Sequence, residues 1–288
     1  MENVKKILVI GSNGMAGHMI SLYLSESGYE VTCLSRTKKL DLPTIILDVK
    51  NLEEVQKIIV SGYDYIINCV GILNEKAEKN KYDAIFINSL FPHFLADCTK
   101  NLSSKVIHLS TDCVFSGRKG TYSELDSPDG ETFYDRTKAI GELKDDKNIT
   151  FRNSIIGPDI NSDGIGLFNW FMNQKGQING YANVLWNGIT TLELAKIIEK
   201  SFNKEFAGLI SIVPNRIISK YELLSLLNTK FRSDKIVINK VFIPISNKTL
   251  VNVNKVFDYG VIRYENMINE LYDWILEHKN IYLNYKIE

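Results

Sequence analysis

The sequence predicts an α/β fold, in which helices cover both faces of a doubly wound parallel sheet and a smaller α/β lobe follows. Short β-branched runs alternate with helical patterns through the first half of the chain, beginning with Ile7–Ile10 and Met15–Ser27. Such alternation is typical of parallel strands joined by crossover helices. A glycine-rich stretch directly follows the first strand, and beyond Gly157 the regular alternation ends. We therefore expect two lobes, residues 1–157 and 158–288, that interleave through one core.

The other elements of the first half keep the same alternating order. Further strands are predicted at Val31–Leu34, Ile45–Leu47, Tyr65–Cys69, Val106–Leu109 and Ile149–Asn153. Helices are predicted over Leu52–Ile59, from about Lys81 to Asn101, and around Tyr134, after a polar loop at Ser116–Thr132. Gly28 stands where the first helix should end, a position that glycine favours because it adopts the left-handed conformation readily.

The second half carries helix-start signals but no regular strand pattern. A polar stretch, Asp159–Gly166, is expected to form a mobile loop beside a pocket. It precedes a helix with three aromatic residues, Phe168, Trp170 and Phe171. Capping boxes at Thr190/Glu193 and Ser219/Glu222 predict two further helices. A last amphipathic helix is predicted over Tyr264–His278.

The composition is that of a globular protein and argues against several other classes. The chain has 288 residues, of which 44% are hydrophobic, and its 34 basic and 34 acidic residues give a formal net charge of zero. This balance argues against a disordered chain and against a broad electrostatic footprint for nucleic acid or an anionic membrane. Neither a signal peptide nor an apolar stretch of bilayer length is visible. We therefore expect a cytoplasmic protein without membrane insertion.

Cysteine and histidine usage predicts neither disulfides nor a metal site. The four cysteines are scattered without paired spacing, at Cys33, Cys69, Cys98 and Cys113, and are expected to be reduced, mostly buried thiols. The four histidines lack the i, i+4 spacing of a helical metal site. We expect no protein-bound catalytic metal.

The glycine-rich stretch predicts a dinucleotide-binding loop of the Rossmann type. It follows a strand and opens a helix, and its residues are Gly11, Ser12, Asn13, Gly14, Met15, Ala16 and Gly17. Missing side chains let the backbone turn tightly and approach a pyrophosphate, while the helix N-terminus directs N–H groups and partial positive charge at the phosphates. The spacing G-x-x-G-x-x-G differs from the G-x-G-x-x-G of many dehydrogenases.

The second strand indicates which dinucleotide is bound. A carboxylate after that strand usually holds the ribose 2′-hydroxyl of NAD, whereas an arginine suits the 2′-phosphate of NADP. Here the strand ends in Ser35-Arg36, and Lys38 and Lys39 follow. We therefore expect NADPH, with NADH left open. The other candidate cofactor contacts follow the third and fourth strands and are Asp48 and Val49, near the adenine, and Cys69, Val70 and Gly71.

Three side chains predict carbonyl chemistry. Tyr134 and Lys138 stand four residues apart on a predicted helix, so they share one face. A lysine near a tyrosine favours the phenolate, which makes the phenol a better proton donor or acceptor near neutral pH. Thr111 ends a predicted buried strand, at the sheet edge where ligands bind. Thr111, Tyr134 and Lys138 are therefore the candidate catalytic residues.

Together these motifs make the chain resemble the extended short-chain dehydrogenase/reductase family, and within it the dTDP-4-dehydrorhamnose reductases. The supporting segments are Gly11–Gly17, Ser110–Gly117, Tyr122-x-Glu124-x-Asp126, Tyr134–Glu142, Arg152–Ser154 and, more weakly, Trp186–Ala195. The resemblance implies that a nicotinamide delivers hydride to C4 of a nucleotide-linked 4-keto-6-deoxysugar, in the synthesis of surface polysaccharide precursors. It also implies that Tyr134 protonates the developing alkoxide and Thr111 hydrogen-bonds the same oxygen. Lys138 would hold the nicotinamide ribose and lower the phenol's pKa.

The sugar itself stays open at this point. Many relatives carry an aromatic residue where this chain has Ile155-Ile156, and tyrosine where it has Cys113. The candidate substrate contacts are Asp112, Asn153, Trp186 and Arg216. Trp186, like Trp170, suits stacking on the ligand or packing in the core, and Arg216 suits pairing with a pyrophosphate or a solvated surface position.

Two other functions remain open, together with the assembly. One is a nucleotide-sugar epimerase or dehydratase that keeps NAD bound, and the other is a noncatalytic NADP(H)-binding regulatory subunit. Arg36 favours exchangeable NADPH over bound NAD, and the intact Tyr134 and Lys138 argue against a noncatalytic role. A nucleotide sugar is the expected partner, no nucleic acid is expected, and a homodimer is left open.

Overall fold

The computed structural model describes residues 4–287 and is organised around one seven-stranded sheet. From edge to edge its strands are β11 (Gly208–Ser211), β6 (Ile149–Asn153), β5 (Lys105–Thr111), β4 (Tyr65–Asn68), β1 (Lys6–Ile10), β2 (Glu30–Ser35) and β3 (Thr44–Ile46). Every neighbouring pair is parallel. The strand order reverses between β1 and β4, and this is where ligands bind in such sheets. The predicted fold class is confirmed.

Two hydrophobic cores cover the two faces of this sheet. Successive residues of β1 alternate between them, with Ile7 and Val9 in one core and Leu8 and Ile10 in the other. The helices of the first half are α1 (Met15–Glu26), α2 (Leu52–Val60), α3 (Asn74–Lys79), α4 (Lys81–Ala84), α5 (Phe91–Thr99) and α6 (Phe133–Ile140). Strands that bury both faces must be apolar throughout, which explains the β-branched runs in the sequence.

The predicted helix from Lys81 to Asn101 is interrupted. It consists of α4, a π-helical segment over Ile85–Leu90, and α5, which ends at Thr99. Pro92 lacks an N–H group and so removes a backbone hydrogen bond at the junction. The π-helical segment faces α6, where Asn88 Nδ2 donates to Thr137 Oγ1 at 3.1 Å and Ser89 Oγ donates to the Thr137 carbonyl at 2.8 Å. The interruption therefore fits this segment to α6.

The second half of the chain completes the main sheet and adds smaller sheets. Its helices are α7 (Leu167–Met172), α8 (Thr191–Ser201), α9 (Lys220–Arg232) and α10 (Tyr264–Glu277). Its short strands are β7 (Ile155–Ile156), β8 (Gln177–Tyr181), β9 (Val184–Trp186), β10 (Ile189–Thr190), β12 (Ile218–Ser219), β13 (Val237–Val241) and β14 (Ser246–Asn247). Helix α8 packs against α1, and β11 pairs with β6. The division into residues 1–157 and 158–288 stays a prediction.

Local signals marked several helix ends correctly. Gly28 lies just beyond α1 and has a φ of +89°. Its N–H donates to the carbonyl of Ser25 in the last turn of the helix. Ser219 and Glu222 form the reciprocal bonds of a capping box at the start of α9. Thr190 caps α8 by accepting from the Glu193 N–H. Among residues 4–287, every helix is too short or too polar to span a bilayer.

A fully buried ion pair joins α6 to the sheet. Arg152 in β6 donates through Nε and Nη2 to the two Glu142 carboxylate oxygens at 2.7 and 2.6 Å, and both side chains have 0% exposure. Ser110 Oγ in β5 donates to Glu142 Oε1 at 2.8 Å, and Arg152 Nη1 donates to the Ser123 carbonyl at 3.2 Å. Buried charges persist only when they are paired and hydrogen-bonded. This network therefore holds the end of α6 against β5 and β6.

Replacing one partner of this pair should destabilise the protein strongly. We expect Arg152→Met to lower the free energy of unfolding by about 3–5 kcal/mol, because the buried Glu142 carboxylate loses both guanidinium hydrogen bonds. It keeps the Ser110 hydroxyl and the ammonium of the exposed Lys144, 3.7 Å away. The matched control Glu53→Gln breaks an exposed pair with Lys57 and should change stability by less than about 0.5 kcal/mol. Urea denaturation followed by circular dichroism measures both. A loss below about 1 kcal/mol for Arg152→Met would contradict this account.

Candidate active site

The glycine loop joins β1 to α1 and needs its glycines for different reasons. Gly11 has a φ of +85°, and a Cβ there would lie 2.8 Å from Val70 Cγ1. A Cβ on Gly17 would overlap the Gly11 carbonyl oxygen, whereas one on Gly14 would meet the same oxygen at 3.4 Å. Gly11 and Gly17 therefore make the turn, while Gly14 leaves space beside it. No side chain caps α1 after Gly14, so N–H groups of its first turn lack partners and suit an anion.

The remaining loop residues differ in how they are held. Ser12 Oγ is buried and has no hydrogen-bond partner among residues 4–287. Asn13 Nδ2 donates to the Thr37 carbonyl at 2.7 Å, which ties the loop to the chain after β2. Ser35 Oγ donates to the same carbonyl at 2.7 Å. Met15 borders Gly166, where a Cβ would lie 3.0 Å from Met15 Sδ.

The predicted loop at 159–166 lies across this glycine loop. Asn161 Nδ2 donates to the Asn13 carbonyl at 2.8 Å and to Asp159 Oδ1 at 2.7 Å, and Asn161 Oδ1 accepts a hydrogen bond from Lys39. Arg36 is exposed and forms no hydrogen bond or ion pair within the described chain. Of the basic residues after β2, Arg36 is thus free to meet a ligand while Lys39 is engaged.

The other predicted cofactor contacts line the same edge of the sheet. Asp48 is exposed, and its carboxylate accepts only from the Lys50 N–H at 3.0 Å, whereas Val49 is buried in the core beside it. Cys69, Val70 and Gly71 directly follow β4, next to Gly11. Burial raises the pKa of the Cys69 thiol to about 12, against an opposing effect of the Lys138 ammonium. Lys138 and Cys69 are therefore neighbours.

Thr111 and Tyr134 meet at the carboxyl end of β5. Tyr134 lies in the first turn of α6, which a capping box between Thr132 and Asp135 fixes, and its side chain is buried. Burial raises the pKa of the Tyr134 phenol, Cys113 adds to this effect, and the neighbouring Thr111 hydroxyl opposes it. The Thr111 hydroxyl also donates to Asp112 Oδ1 at 3.1 Å. The phenol stays protonated at neutral pH and is placed to donate.

Lys138 is directed at the backbone of β5, which differs from the expectation that it lowers the phenol's pKa. Its Nζ donates to the Leu109 carbonyl at 2.7 Å and lies 3.3 Å from His108 Nε2. Burial lowers the pKa of Lys138 to about 8, although Glu142 and Cys69 oppose this. In this geometry the phenol's pKa is set by its own burial, because the lysine head group is held against the strand.

The four candidate substrate residues separate into three groups. Asp112 adjoins Thr111, and Asn153 lies beside Thr111 across the β5–β6 ladder with a buried Nδ2 that has no hydrogen-bond partner. Trp186 is buried, donates from Nε1 to Ser154 Oγ at 2.8 Å and packs on Tyr264. Arg216 is exposed and pairs with two glutamates, Glu222 and Glu265, at 3.2 and 3.6 Å. Only Asp112 and Asn153 adjoin Thr111 directly.

Sequence reasoning missed Lys220, the first residue of α9. Its Nζ lies 4.7 Å from the centre of the Trp186 ring. Burial lowers the pKa of Lys220 to about 8, and the charge of Asp112 is the largest opposing influence. The capping box at Ser219 predicted the start of a helix, but the direction of the Lys220 side chain depends on packing between distant segments. Nothing local in the sequence could have revealed it.

The site contains polar and ionisable groups without a metal-ligand cluster. Among residues 4–287, no group of three or more histidine, cysteine, aspartate or glutamate side chains is arranged to hold a metal ion. All four cysteines are free thiols.

Comparison with known proteins finds relatives that include dTDP-4-dehydrorhamnose reductases. The spore coat polysaccharide biosynthesis protein SpsK of Bacillus subtilis is 24% identical over 254 residues, 85% of this chain and 86% of that protein. A dTDP-4-dehydrorhamnose reductase of Mycolicibacterium smegmatis is 28% identical over 141 residues, 48% of this chain and 40% of that enzyme. The dTDP-4-dehydrorhamnose reductase of Bacillus anthracis, solved in complex with NADP, shares the fold with a TM-score of 0.77 at 19% identity, over 95% of this chain and 99% of that one.

The family follows from a match to a family model. A family model described as the RmlD substrate binding domain matches residues 5–150, just over half of the chain. That segment contains the glycine loop, Thr111, Tyr134 and Lys138, the residues that carried the resemblance. The resemblance is confirmed, and the chain belongs to the RmlD substrate binding domain family.

Proposed function

We propose that the chain is an NADPH-dependent reductase of the C4 keto group of a nucleotide-linked 4-keto-6-deoxysugar, like the dTDP-4-dehydrorhamnose reductases. The observation that carries this proposal is the position of buried Tyr134 at the start of α6, where it packs with Cys113 two residues after Thr111, with Lys138 on the same helix. The role of the relative SpsK in spore coat polysaccharide synthesis supports a place in making surface polysaccharide precursors. Residues 158–288 would supply the substrate-binding surface.

The residues of the glycine loop fit a dinucleotide. The N–H groups after Gly14 would hold the pyrophosphate, and the unpartnered Ser12 hydroxyl could hydrogen-bond it. Arg36 would meet the 2′-phosphate, since a guanidinium binds phosphate oxygens in pairs. Asp48 would accept from the adenine amino group, and Lys138 would hold the nicotinamide ribose beside Cys69. Bound NADPH would supply the hydride.

The protein's own contribution is to place and transfer a proton. Tyr134 would donate its phenolic proton to the oxygen at C4 as negative charge develops there. The raised pKa of the buried phenol keeps this proton in place at neutral pH, so the group is in its donor form before reaction. Thr111 would hydrogen-bond the same oxygen, which requires its hydroxyl to turn away from Asp112.

Removing the phenolic hydroxyl tests the proton-transfer role. We expect Tyr134→Phe to bind NADPH with unchanged affinity but to reduce 4-ketosugar turnover about 10²–10⁴-fold, because the donor is lost. NADPH oxidation with dTDP-, UDP- and GDP-linked 4-ketosugars measures the rate, and calorimetry measures the affinity. Tyr82→Phe, at an exposed tyrosine, is the control. Equal turnover by Tyr134→Phe and wild type would contradict the mechanism, and no oxidation by wild type with any sugar would favour a regulatory role.

Cofactor choice can be read from thermal stabilisation. At equal concentrations NADPH should raise the melting temperature more than NADH, because Arg36 pairs only with a 2′-phosphate and binding stabilises by mass action. We expect Arg36→Ala to weaken NADPH binding about 10- to 100-fold and to leave NADH binding unchanged. Lys100→Ala, which also removes one exposed positive charge, should change neither. Greater stabilisation by NADH would overturn the assignment.

Two glycines of the loop should respond differently to alanine. Gly14→Ala should fold normally, since Gly14 has an extended backbone and a Cβ there lies 3.4 Å from its nearest neighbour. It should nevertheless weaken NADPH binding, because the methyl group occupies space meant for the pyrophosphate. Gly17→Ala should lose about 1–3 kcal/mol of stability through overlap with Gly11. Thermal melts and NADPH titrations separate the two, and unchanged NADPH affinity in Gly14→Ala would contradict the loop's role.

A further inference from the structure

Lys220 brings a positive charge to the substrate side of the proposed site without a protein group to neutralise it. The side chain is half-buried, and its Nζ lies over the face of Trp186, 4.7 Å from the ring centre. Within residues 4–287 its ammonium forms no hydrogen bond and no ion pair. The nearest charge of opposite sign is that of Asp112, which attracts it from beyond ion-pair distance. The three ammonium protons are thus left for another acceptor.

An ammonium group in this position is unfavourable unless something else pairs with it. Withdrawing a charge from water costs free energy that a ring face offsets only in part. Five other lysines lie over aromatic rings at 4.4–5.9 Å, and these include Lys230, which lies on the same helix over the exposed side of Tyr272. Lys220 differs from Lys230 because its ring, Trp186, is buried and adjoins the proposed active site.

A second donor without a partner lies in the same region. Asn153 is buried, it pairs in register with Thr111, and its Nδ2 lacks an acceptor among the described residues. The next residue, Ser154, accepts the Trp186 indole N–H at 2.8 Å. Trp186 therefore contacts Lys220 through its ring face and the residue after Asn153 through its indole N–H. A buried region with two unpaired donors is complementary to a ligand rich in acceptor oxygens.

We infer that Lys220 binds an anionic oxygen of the nucleotide sugar, with Trp186 holding the lysine in place and Asn153 donating to the same ligand. The inference rests on the proposed function, since it specifies which part of that substrate Lys220 meets. The anionic oxygen belongs either to the diphosphate or to a carboxylate on the sugar, and the chemistry of recognition is the same for both. Lys220 thereby determines substrate affinity, while Tyr134 and Thr111 act on the carbonyl.

Ligand binding to a Lys220 variant tests this inference directly. Wild type, Lys220→Met and Lys220→Arg are titrated calorimetrically with dTDP, UDP, the corresponding nucleosides, and nucleotide-linked 4-ketosugars with and without a carboxylate. Lys220→Met should bind the anionic ligand about 10- to 100-fold more weakly, and Lys220→Arg should retain most of the affinity. Lys230→Met, on the same helix and over the Tyr272 ring, is the matched control and should bind like wild type.

The pattern across ligands identifies the source of the anionic oxygen. If the diphosphate supplies it, dTDP, UDP and every nucleotide-linked ketosugar lose affinity in Lys220→Met, while the nucleosides bind as they do to wild type. If a sugar carboxylate supplies it, only the carboxylated ketosugar loses affinity. Either pattern supports the inference. Equal affinity of wild type and Lys220→Met for every ligand overturns it.

Two further readouts distinguish binding from a structural effect. In wild type the anionic ligand should bind more weakly as the pH rises above about 8, because Lys220 loses its proton there. This pH dependence should be absent in Lys220→Met. In Lys220→Arg it should be shifted to higher pH. In turnover, Lys220→Met should raise KM with little change in kcat. A lower kcat at unchanged KM would overturn the role in binding.

The inference and the proposed function fail in different ways. Lys220-dependent binding of nucleoside diphosphates without NADPH oxidation would contradict the reductase function but support anion binding by Lys220. Normal reduction with unchanged KM in Lys220→Met would contradict anion binding by Lys220 but support the reductase function.

Discussion

The buried carboxylate of Glu142 determines where the reactive side chains lie. It accepts from Ser110 in β5 and from Arg152 in β6, and it stands two residues beyond the end of α6. Because neither charge reaches water, any displacement of α6 would leave both partners buried and unpaired, at a cost of several kcal/mol. The helix that carries Tyr134 and Lys138 is thereby fixed to the strands that carry Thr111 and Asn153. A proton donor must be held this closely, since small misplacements of a reacting group cost large factors in rate.

A second contact supports the same helix from the other side. The π-helical segment of residues 85–90 brings the Asn88 carbonyl against Gly141, where a Cβ would overlap it, and the Asn88 amide joins Thr137 to the chain after β4. Together with the Glu142 network, this contact holds α6 between two layers of the fold. The helix that carries Tyr134 and Lys138 is therefore held by two independent sets of contacts. Such rigidity suits a site in which geometry rather than movement provides the catalytic advantage.

How much the sequence revealed depended on the range of the interactions involved. Periodicity and capping within a few residues predicted the strands β1 to β6, the glycine loop, the end of α1 at Gly28 and the start of α9 at Ser219. They did not predict β11, which completes the main sheet, or the short strands of the second half. The π-helical interruption, the orientation of Lys138 and the position of Lys220 depend on contacts between segments far apart in the chain. Lys138 illustrates the difference. Its spacing from Tyr134 correctly put both on α6, but the Leu109 carbonyl and His108 decide where its ammonium group points.

The lysines of the site make substrate binding and folding stability interdependent. Burial lowers the pKa of Lys138 and of Lys220 from 10.5 to about 8. Between those two pH values the unfolded chain binds more protons than the folded one, so the stability of the free protein rises with pH across this window. Below pH 8 both lysines are charged when folded, and burying their charges lowers the free energy of unfolding by its full amount. A bound anion beside either ammonium would raise its pKa and remove part of that cost. A ligand that brings an anionic oxygen to Lys220, as inferred above, would therefore also stabilise the folded protein at neutral pH.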